Sequence, residues 1–441
     1  MSQASRARPR RVFIGLVEVA GYYGGLARGL RARGIDVTFV DLAGHRFAYG
    51  ADDRTGLIRL ARRTWALNAA TLGPIRRAVA RLLHRLALMA LLAWALPRHD
   101  VFVFGFRTSF VRLRELPLLR LLGKRIVFVF NGSDARPPYI DGADMDPALG
   151  RTIADCARLA ARKKADIRRI ERWADVVVSH ALYLHLFERP AVGFQVIGLP
   201  TTLLDELPDV PPEPDGPVIR VLHAPSHPHV KGTALIEAVV EGLRDEGLAI
   251  ELVQVRGVPN SLVRQEISRC HFVVDQAYSD GPMLGFAAEA ALYGRPAVVG
   301  SYGWDEIHRL MPPDAIAPVQ ACHPDELGPA IRALATDAEL RRRLGREARA
   351  FVERWGVAEA VADRYLRLLA GERPPAWLCD PREVGYLHGV GVAEERVRQL
   401  VGGVLREFGV SALQLDDKPA LRHAYVRFAR GDDERGAQRV P

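Results

Sequence analysis

Five short loops concentrate the residue types that could do chemistry. The densest runs from His223 to Thr233 and holds His223, Ser226, His227, His229, Lys231 and a Gly232-Thr233 entry into a helix. Three histidines raise the question of a metal, but Pro225 and Pro228 interrupt them and no carboxylate is near, so a metal site fits poorly. An anion fits better, because a lysine beside a helix N-terminus makes a cradle for a diphosphate. The chain holds five lysines against 56 arginines, so a lysine here points to a need for a compact ammonium.

The second loop spans Asp275 to Ala290. Asp280 and Gly281 open it, and Leu284 and Gly285 lead into a helix where backbone amides can approach a ligand closely. Glu289 lies about a turn inside that helix, among apolar residues, and a carboxylate there needs a partner. Ribose hydroxyls would supply one, and so would an arginine elsewhere. Asn131-Gly132-Ser133-Asp134 follows an all-apolar strand. Asp134 is placed either to meet a substrate hydroxyl or to form an Asx-turn or helix cap. The Glu18–Gly25 loop, with Gly24 and Gly25, reads as a close-approach site at a helix N-terminus that favours an anion, or as a plain turn. Arg107 either binds an acceptor anion or forms a surface ion pair. Asp41, at the end of the second strand, is the sole carboxylate in a frame that would suit a nicotinamide dehydrogenase.

These loops must be positioned by the elements between them. Arg11–Leu16, Ile35–Asp41, Val101–Gly105, Ile126–Phe130 and Val176–Ser179 read as strands, near-continuously apolar. Helical stretches at 26–33, 56–96, 112–122 and 147–173 separate them. That alternation implies a parallel sheet covered on both faces, a Rossmann-like domain over 1–199. Prolines crowd residues 200–217, which read as a semi-rigid linker. The alternation restarts with strands at 218–223, 249–255, 272–275 and 297–299, giving a second Rossmann-like domain over 218–355. Helices near 323–335, 337–353 and 356–370 are expected to close it, the last as a closing helix over 356–371. Residues 372–441 form a C-terminal extension of unassigned role with one helix, Glu394–Phe408. Ligands in such folds bind beyond the carboxyl ends of the strands, so all five loops face one interdomain cleft.

Composition narrows the class. At 441 residues and 49% hydrophobic content the chain can bury sizeable cores, and 26% charged residues exclude a disordered chain. Four scattered cysteines argue against a disulfide framework. The longest apolar run, Leu86–Leu96, is too short to span a bilayer, and the N-terminus does not read as a signal peptide, so a soluble cytoplasmic protein is expected. The net charge of +9 is unevenly spread: residues 54–99 hold nine arginines (54, 59, 62, 63, 76, 77, 81, 85 and 98) and no acid. Arg77, Arg81 and Arg85 share a helical face, which reads either as an anionic-membrane or phosphorylated-acceptor surface or as a solvated face. No nucleic-acid reader motif interleaves with them.

Residues 11–371 resemble the GT-B-fold glycosyltransferases, nearest to the retaining nucleotide-sugar enzymes of glycosyltransferase family 4. Lys231-Gly232-Thr233 is similar to the family's Lys-Gly segment for the donor diphosphate. Glu289-Ala290 with Leu292 to Val298 is similar to the end of its Glu-x7-Glu motif, and Gly24-Gly25 to its first glycine loop. Two positions depart: Gly281 stands where the motif's first glutamate would be, with Asp280 beside it, and Ser226, next to His227, stands where an arginine usually precedes the lysine. The resemblance implies transfer of a sugar from a nucleoside-diphosphate sugar to a glycan, lipid-linked or small-molecule hydroxyl, with retention and with no metal or other cofactor. It assigns Lys231, Asp134 and Asp280 to the chemistry. The remaining residues (Gly24, Gly25, Arg107, Ser226, His227, Gly232, Thr233, Gly281, Leu284, Gly285 and Glu289) are assigned to substrate. A silent nucleotide-sugar-binding module, an epimerase of the same architecture and the dehydrogenase are the rival readings.

Overall fold

In the computed structural model, residues 9–44, 55–69, 73–200 and 209–432 are described. Arg54 and linker residues 201–208 lie outside them. The strands are β1 (Arg11–Leu16), β2 (Asp36–Asp41), β3 (Val101–Gly105), β4 (Arg125–Val129), β5 (Val176–Ser179), β6 (Ala191–Gly193), β7 (Ile219–His223), β8 (Ile250–Gln254), β9 (Phe272–Gln276), β10 (Ala297–Gly300), β11 (Gln320–Cys322) and β12 (Leu378–Cys379). They form a seven-stranded sheet, β12-β6-β5-β4-β3-β1-β2, and a five-stranded sheet, β11-β10-β9-β7-β8. All pairings are parallel except that of β12 with β6. The chain is therefore an α/β protein of two Rossmann-like domains.

In the first domain, the central strands β3 and β4 are buried on both sides, which is why they carry Val, Ile and Phe without alternation. One face is covered by α1 (Tyr22–Ala32); the other by the hairpin of α2 (Gly56–Ala69) and α3 (Pro74–Ala95) together with the helix Ile153–Trp173. The sequence reads 56–96 as one helical stretch, but Gly73 and Pro74 start a second helix there. α3 is also long and apolar enough, by length and composition alone, to cross a membrane, and 39% of its most apolar window is buried in protein.

Two segments pack differently from expectation. The helix Ala358–Ala370 leaves the second domain and seals α1 of the first: Val361, Ala362, Tyr365 and Leu368 join the core of that face, and Tyr22 and Tyr365 share a hydroxyl–hydroxyl hydrogen bond of 2.7 Å. The extension also belongs to the first domain. Its β12 lengthens the sheet, its helix Glu394–Phe408 packs on Ile153–Trp173 with Val397 and Leu400 buried, and Pro419–Arg430 packs on Glu394–Phe408, with Tyr425 against Tyr139 and His185 and Phe428 against His388. Short β6, β11 and β12, of two or three residues, escaped the sequence reading because so few residues show no period.

The α1–Ala358 seam is tight enough to test. A Cβ at Gly29 would fall 2.0 Å from the Ala358 carbonyl oxygen, whereas one at Gly242, in the exposed face of Thr233–Asp245, meets nothing within 4 Å. Gly29→Ala should cost about 1–3 kcal/mol of stability through overpacking. Gly242→Ala should gain about 0.5–1 kcal/mol from backbone entropy. Paired thermal melts check both signs.

Candidate functional site

A cavity of about 540 Å³ lies between the domains, within the range of roughly 300–1,000 Å³ that small-molecule sites occupy. Its first-domain wall comes from the loops after β1, β4 and β5, with Val19, Ala20, Asn131, His180 and Tyr183. Its second-domain wall comes from the loops after β7, β8 and β9, with Ser226, His227, Lys231, Asn260, Gly285 and Glu289. Loops at the carboxyl ends of both sheets thus meet here.

Lys231 ends a one-turn helix whose cap, Gly232, has φ +69°, and a Cβ there would sit 2.7 Å from the Ala277 Cβ. The left-handed turn sends the chain into Thr233–Asp245 and leaves Lys231 at the cavity. Its ammonium donates to Asp275 Oδ1 at 3.0 Å, and Asp275 is buried. An ammonium has three protons, so this anchor orients it while leaving donors for a second anion. Ser226 and His227 are exposed at the rim. Thr233 does not line this cavity: its hydroxyl donates to His223 Nε2 at 2.9 Å, because His223 Nδ1–H is already directed to the Val274 carbonyl. Gly232 and Thr233 border a separate cavity of about 490 Å³.

Across from Lys231, Leu284 and Gly285 begin the helix Gly285–Leu292, which has no side-chain cap, so its first amides face the cavity. Glu289 sits a turn further in and accepts two hydrogen bonds from Asn260 Nδ2, at 3.1 and 2.9 Å. The partner that its environment demands is thus a neutral amide at the start of the helix after β8. Burial raises its carboxyl from 4.5 to about 7, against the pull of Asn260.

Asp280 and Gly281 lie apart from these groups. Asp280 is fully buried, and Arg136 Nε donates to its Oδ2 at 2.6 Å. Arg136 also pairs with Asp141 at 3.0 Å and donates to Tyr183 Oη at 3.0 Å, its guanidinium 4.4 Å over that ring. A dehydrated carboxylate requires such a cation, and the pair joins one domain to the other. Asp280 does not line the cavity. Gly281 is folded against His180, with its amide donating to Ser279 Oγ.

On the first-domain side, Asp134 is buried beneath its loop. Asn131 and Gly132 amides donate to its Oδ1 at 3.0 and 2.8 Å, so the carboxylate reaches back to the start of its own loop, and burial raises its carboxyl. Arg107 pairs with Asp166 at 3.3 Å. Gly24 and Gly25 lie within the first turn of α1, and the anion expected at that N-terminus is the chain's own Glu18. It accepts from the amides of Val19, Tyr23 and Gly24 at 2.6, 3.2 and 2.8 Å. Burial still lifts Glu18 to about 7. Asp41 is buried, accepts from the Ala43 amide and does not line the cavity.

Three cavity groups went unassigned in the sequence. Asn260 opens a helix after β8 and carries no motif. Asn131 sat in a flagged loop, where Tyr23 Oη donates to its Oδ1 at 2.8 Å. His180 is fully buried, stacked on Tyr183, and its Nδ1 accepts from the Leu182 amide. Its Nε2 therefore carries the proton, and has no acceptor among the described residues. Burial holds its pKa near 4, so the imidazole stays neutral, with Nε2 packed against Gly281. A histidine capping a strand end was its only signal.

Two predictions follow from these environments. Glu18 and Glu289 bind protons more tightly folded than unfolded, so stability should fall as pH rises from about 4.5 to about 7. Glu18→Gln and Glu289→Gln should each flatten that slope in thermal melts across the range. Arg136→Met should cost about 3–5 kcal/mol, since it strands two buried carboxylates. Asp280→Asn should cost less, because Asp141 still balances the guanidinium. Ligand-free melts measure both.

No known protein-family model matches the chain, and no curated protein matches it. Solved structures do. The glycotransferase of kitacinnamycin is 17% identical at a TM-score of 0.44, covering 82% of this chain and 100% of its own. Anabaena Alr3699/HepE in complex with UDP is 12% identical at 0.49, covering 82% and 100%. The catalytic domain of starch synthase IV from Arabidopsis thaliana, bound to ADP and acarbose, is 11% identical at 0.44, covering 83% and 100%. These likenesses stand beside the sheet topology, which by itself defines two Rossmann-like domains around one cleft.

Proposed function

We propose that the chain is a glycosyltransferase that takes a nucleoside-diphosphate sugar in the interdomain cavity and passes the sugar to an acceptor hydroxyl with retention, as family 4 enzymes do. One observation carries the reading. Lys231 and the uncapped N-terminus of Gly285–Leu292 supply positive charge on the wall where Glu289 and Asn260 offer hydrogen-bonding groups to hydroxyls. Phosphate needs the first pair and ribose the second.

In this reading the diphosphate lies between Lys231 and the Gly285 amide, and Glu289 with Asn260 grips the ribose. Charge building on the departing diphosphate is absorbed by the ammonium and the helix dipole, so no metal is required. Glu18 already fills the α1 N-terminus, which favours a neutral acceptor hydroxyl over a phosphate at that point. Glycan, lipid-linked and small-molecule hydroxyls all meet this requirement. The enzyme works in the cytoplasm in this reading.

A second reading is favoured by one observation: Asp280 is held by Arg136 and so does not reach the cavity. A module that binds the nucleotide sugar without turnover would show this.

Thermal-shift assays with UDP, GDP, ADP and TDP test the donor site. One of them should stabilise the protein by roughly 2.7 kcal/mol at about a hundredfold over Kd. Glu289→Ala and Lys231→Ala should each remove most of that gain. No stabilisation by any of the four would end the proposal. Donor consumption with sugar transfer separates an enzyme from a silent module.

A further inference from the structure

The α2–α3 hairpin presents two apolar faces. The inner face of α3 (Ala87, Leu88, Leu91, Leu92 and Ala95) packs in the first-domain core with Ile58 and Ala61 of α2. Thr64 Oγ1 and His84 Nδ1, 3.1 Å apart, hold the two helices together, so that face is complete. The outer face is not. Ile75, Val79, Leu82, Leu83, Leu86 and Met89 follow the i, i+4, i+7, i+8, i+11, i+14 spacing of one helical stripe, and every one is at least 46% exposed. Leu60, Trp65 and Leu67 of α2 are exposed as well. Nine of the twenty exposed large hydrophobic residues described in the protein lie on this single hairpin. A contiguous patch of this kind marks an interaction surface.

Charge names the partner. The described part of 54–99 has eight arginines and no acid, and Arg76, Arg81 and Arg85 border the stripe on α3. An acid-free cationic rim around an apolar stripe is complementary to a bilayer bearing anionic headgroups. A spanning role conflicts with the inner face, which is committed to the core. The hairpin would therefore lie in the plane of the interface.

Placement adds a consequence. His99, just after α3, bonds Thr38 in β2, and Asp100 accepts from the Arg10 and Arg11 amides at the amino end of β1. α3 thus ends at the amino edge of the sheet and runs antiparallel to the strands. Its 22 residues span about 33 Å, roughly twice a five-residue strand, so its first half projects past the carboxyl edge. The cavity opens on that same edge.

We infer that the outer face of the α2–α3 hairpin docks this protein on an anionic lipid surface, with the cleft side of the first domain turned toward the bilayer. The inference does not depend on the proposed transfer reaction, and its test needs no donor or acceptor. The full chain is sedimented with vesicles of phosphatidylcholine alone, and with equal parts phosphatidylcholine and phosphatidylglycerol. It should associate with the anionic vesicles only. Arg81→Gln with Arg85→Gln should weaken association by roughly tenfold or more. Leu82→Ser with Leu86→Ser should do the same, and both variants should keep the parental melting temperature because none of these side chains is in the core. Brominated lipid should quench the unsubstituted protein more than Trp65→Phe, a readout free of charge changes. Three outcomes would overturn the inference: no sedimentation with either vesicle, equal sedimentation with both, or a dimer in vesicle-free buffer that Leu82→Ser with Leu86→Ser abolishes while vesicles fail to bind.

Discussion

One buried guanidinium holds the site together. Arg136 stands just after the Asn131–Asp134 loop of the first domain and reaches across to Asp280, just before the Gly281–Gly285 loop of the second. Its other arms engage Asp141 and Tyr183, and Tyr183 stacks on His180. Both walls of the cavity are therefore referenced to the same charge. Removing ions from water is costly, and the cost is met only when geometry and hydrogen bonding are good on every side. Arg136 meets that condition with three partners. The loops that it ties have correspondingly little freedom to drift apart.

The same logic repeats around the cavity in weaker forms. Lys231 is steered by Asp275, Glu289 by Asn260, and Glu18 by three amides at the start of α1. Lys231 and Glu289 each have one fixed partner and unused capacity. Lys231 retains donors and Glu289 retains lone pairs. A cavity so lined is arranged in advance for a ligand that supplies the complementary atoms. That lowers the ordering cost of binding. It also makes Glu289 sensitive to what occupies the site, since hydroxyl donors favour the ionised carboxylate that burial alone disfavours.

How much of this was legible in the sequence follows from the range of the interactions. Apolar strands and the loops after them are local features, and β1, β3 and β5 match their read boundaries residue for residue. Lys231 and Glu289 were visible because each is chemically out of place among its neighbours. Their partners were not. Asn260 is an ordinary polar residue 29 positions from Glu289, and Asp280 is 144 positions from Arg136. Asp280, beside the position of the family's first glutamate, reads as a chemical group because only tertiary structure reveals the arginine above it. Thr233 and Asp134 were read toward substrate, and their atoms instead answer His223 and the backbone of Asn131 and Gly132. The closing helix went to the wrong domain for the same reason: its apolar stripe states that it packs, not on what.

The extension completes the constraint with which the structure begins. Residues 390–394 run between the domains. The Gly142 amide donates to the Val390 carbonyl and the Val390 amide to that of Ile140, both in the first domain. The next amide, of Gly391, donates to the Tyr278 carbonyl in the second, and that of Glu394 to Tyr302 Oη. Asp141 and Asp280, the two carboxylates of Arg136, are thus each within a few residues of a backbone bond to this strap. Polar pair and backbone strap grip the same two loops from different sides. Any opening or closing of the cleft must turn about this junction, since displacement there would break both at once. A segment with no legible motif of its own therefore belongs to the mechanical frame of the site, and the first domain, the strap and the Asp280 loop act on the cavity as one body.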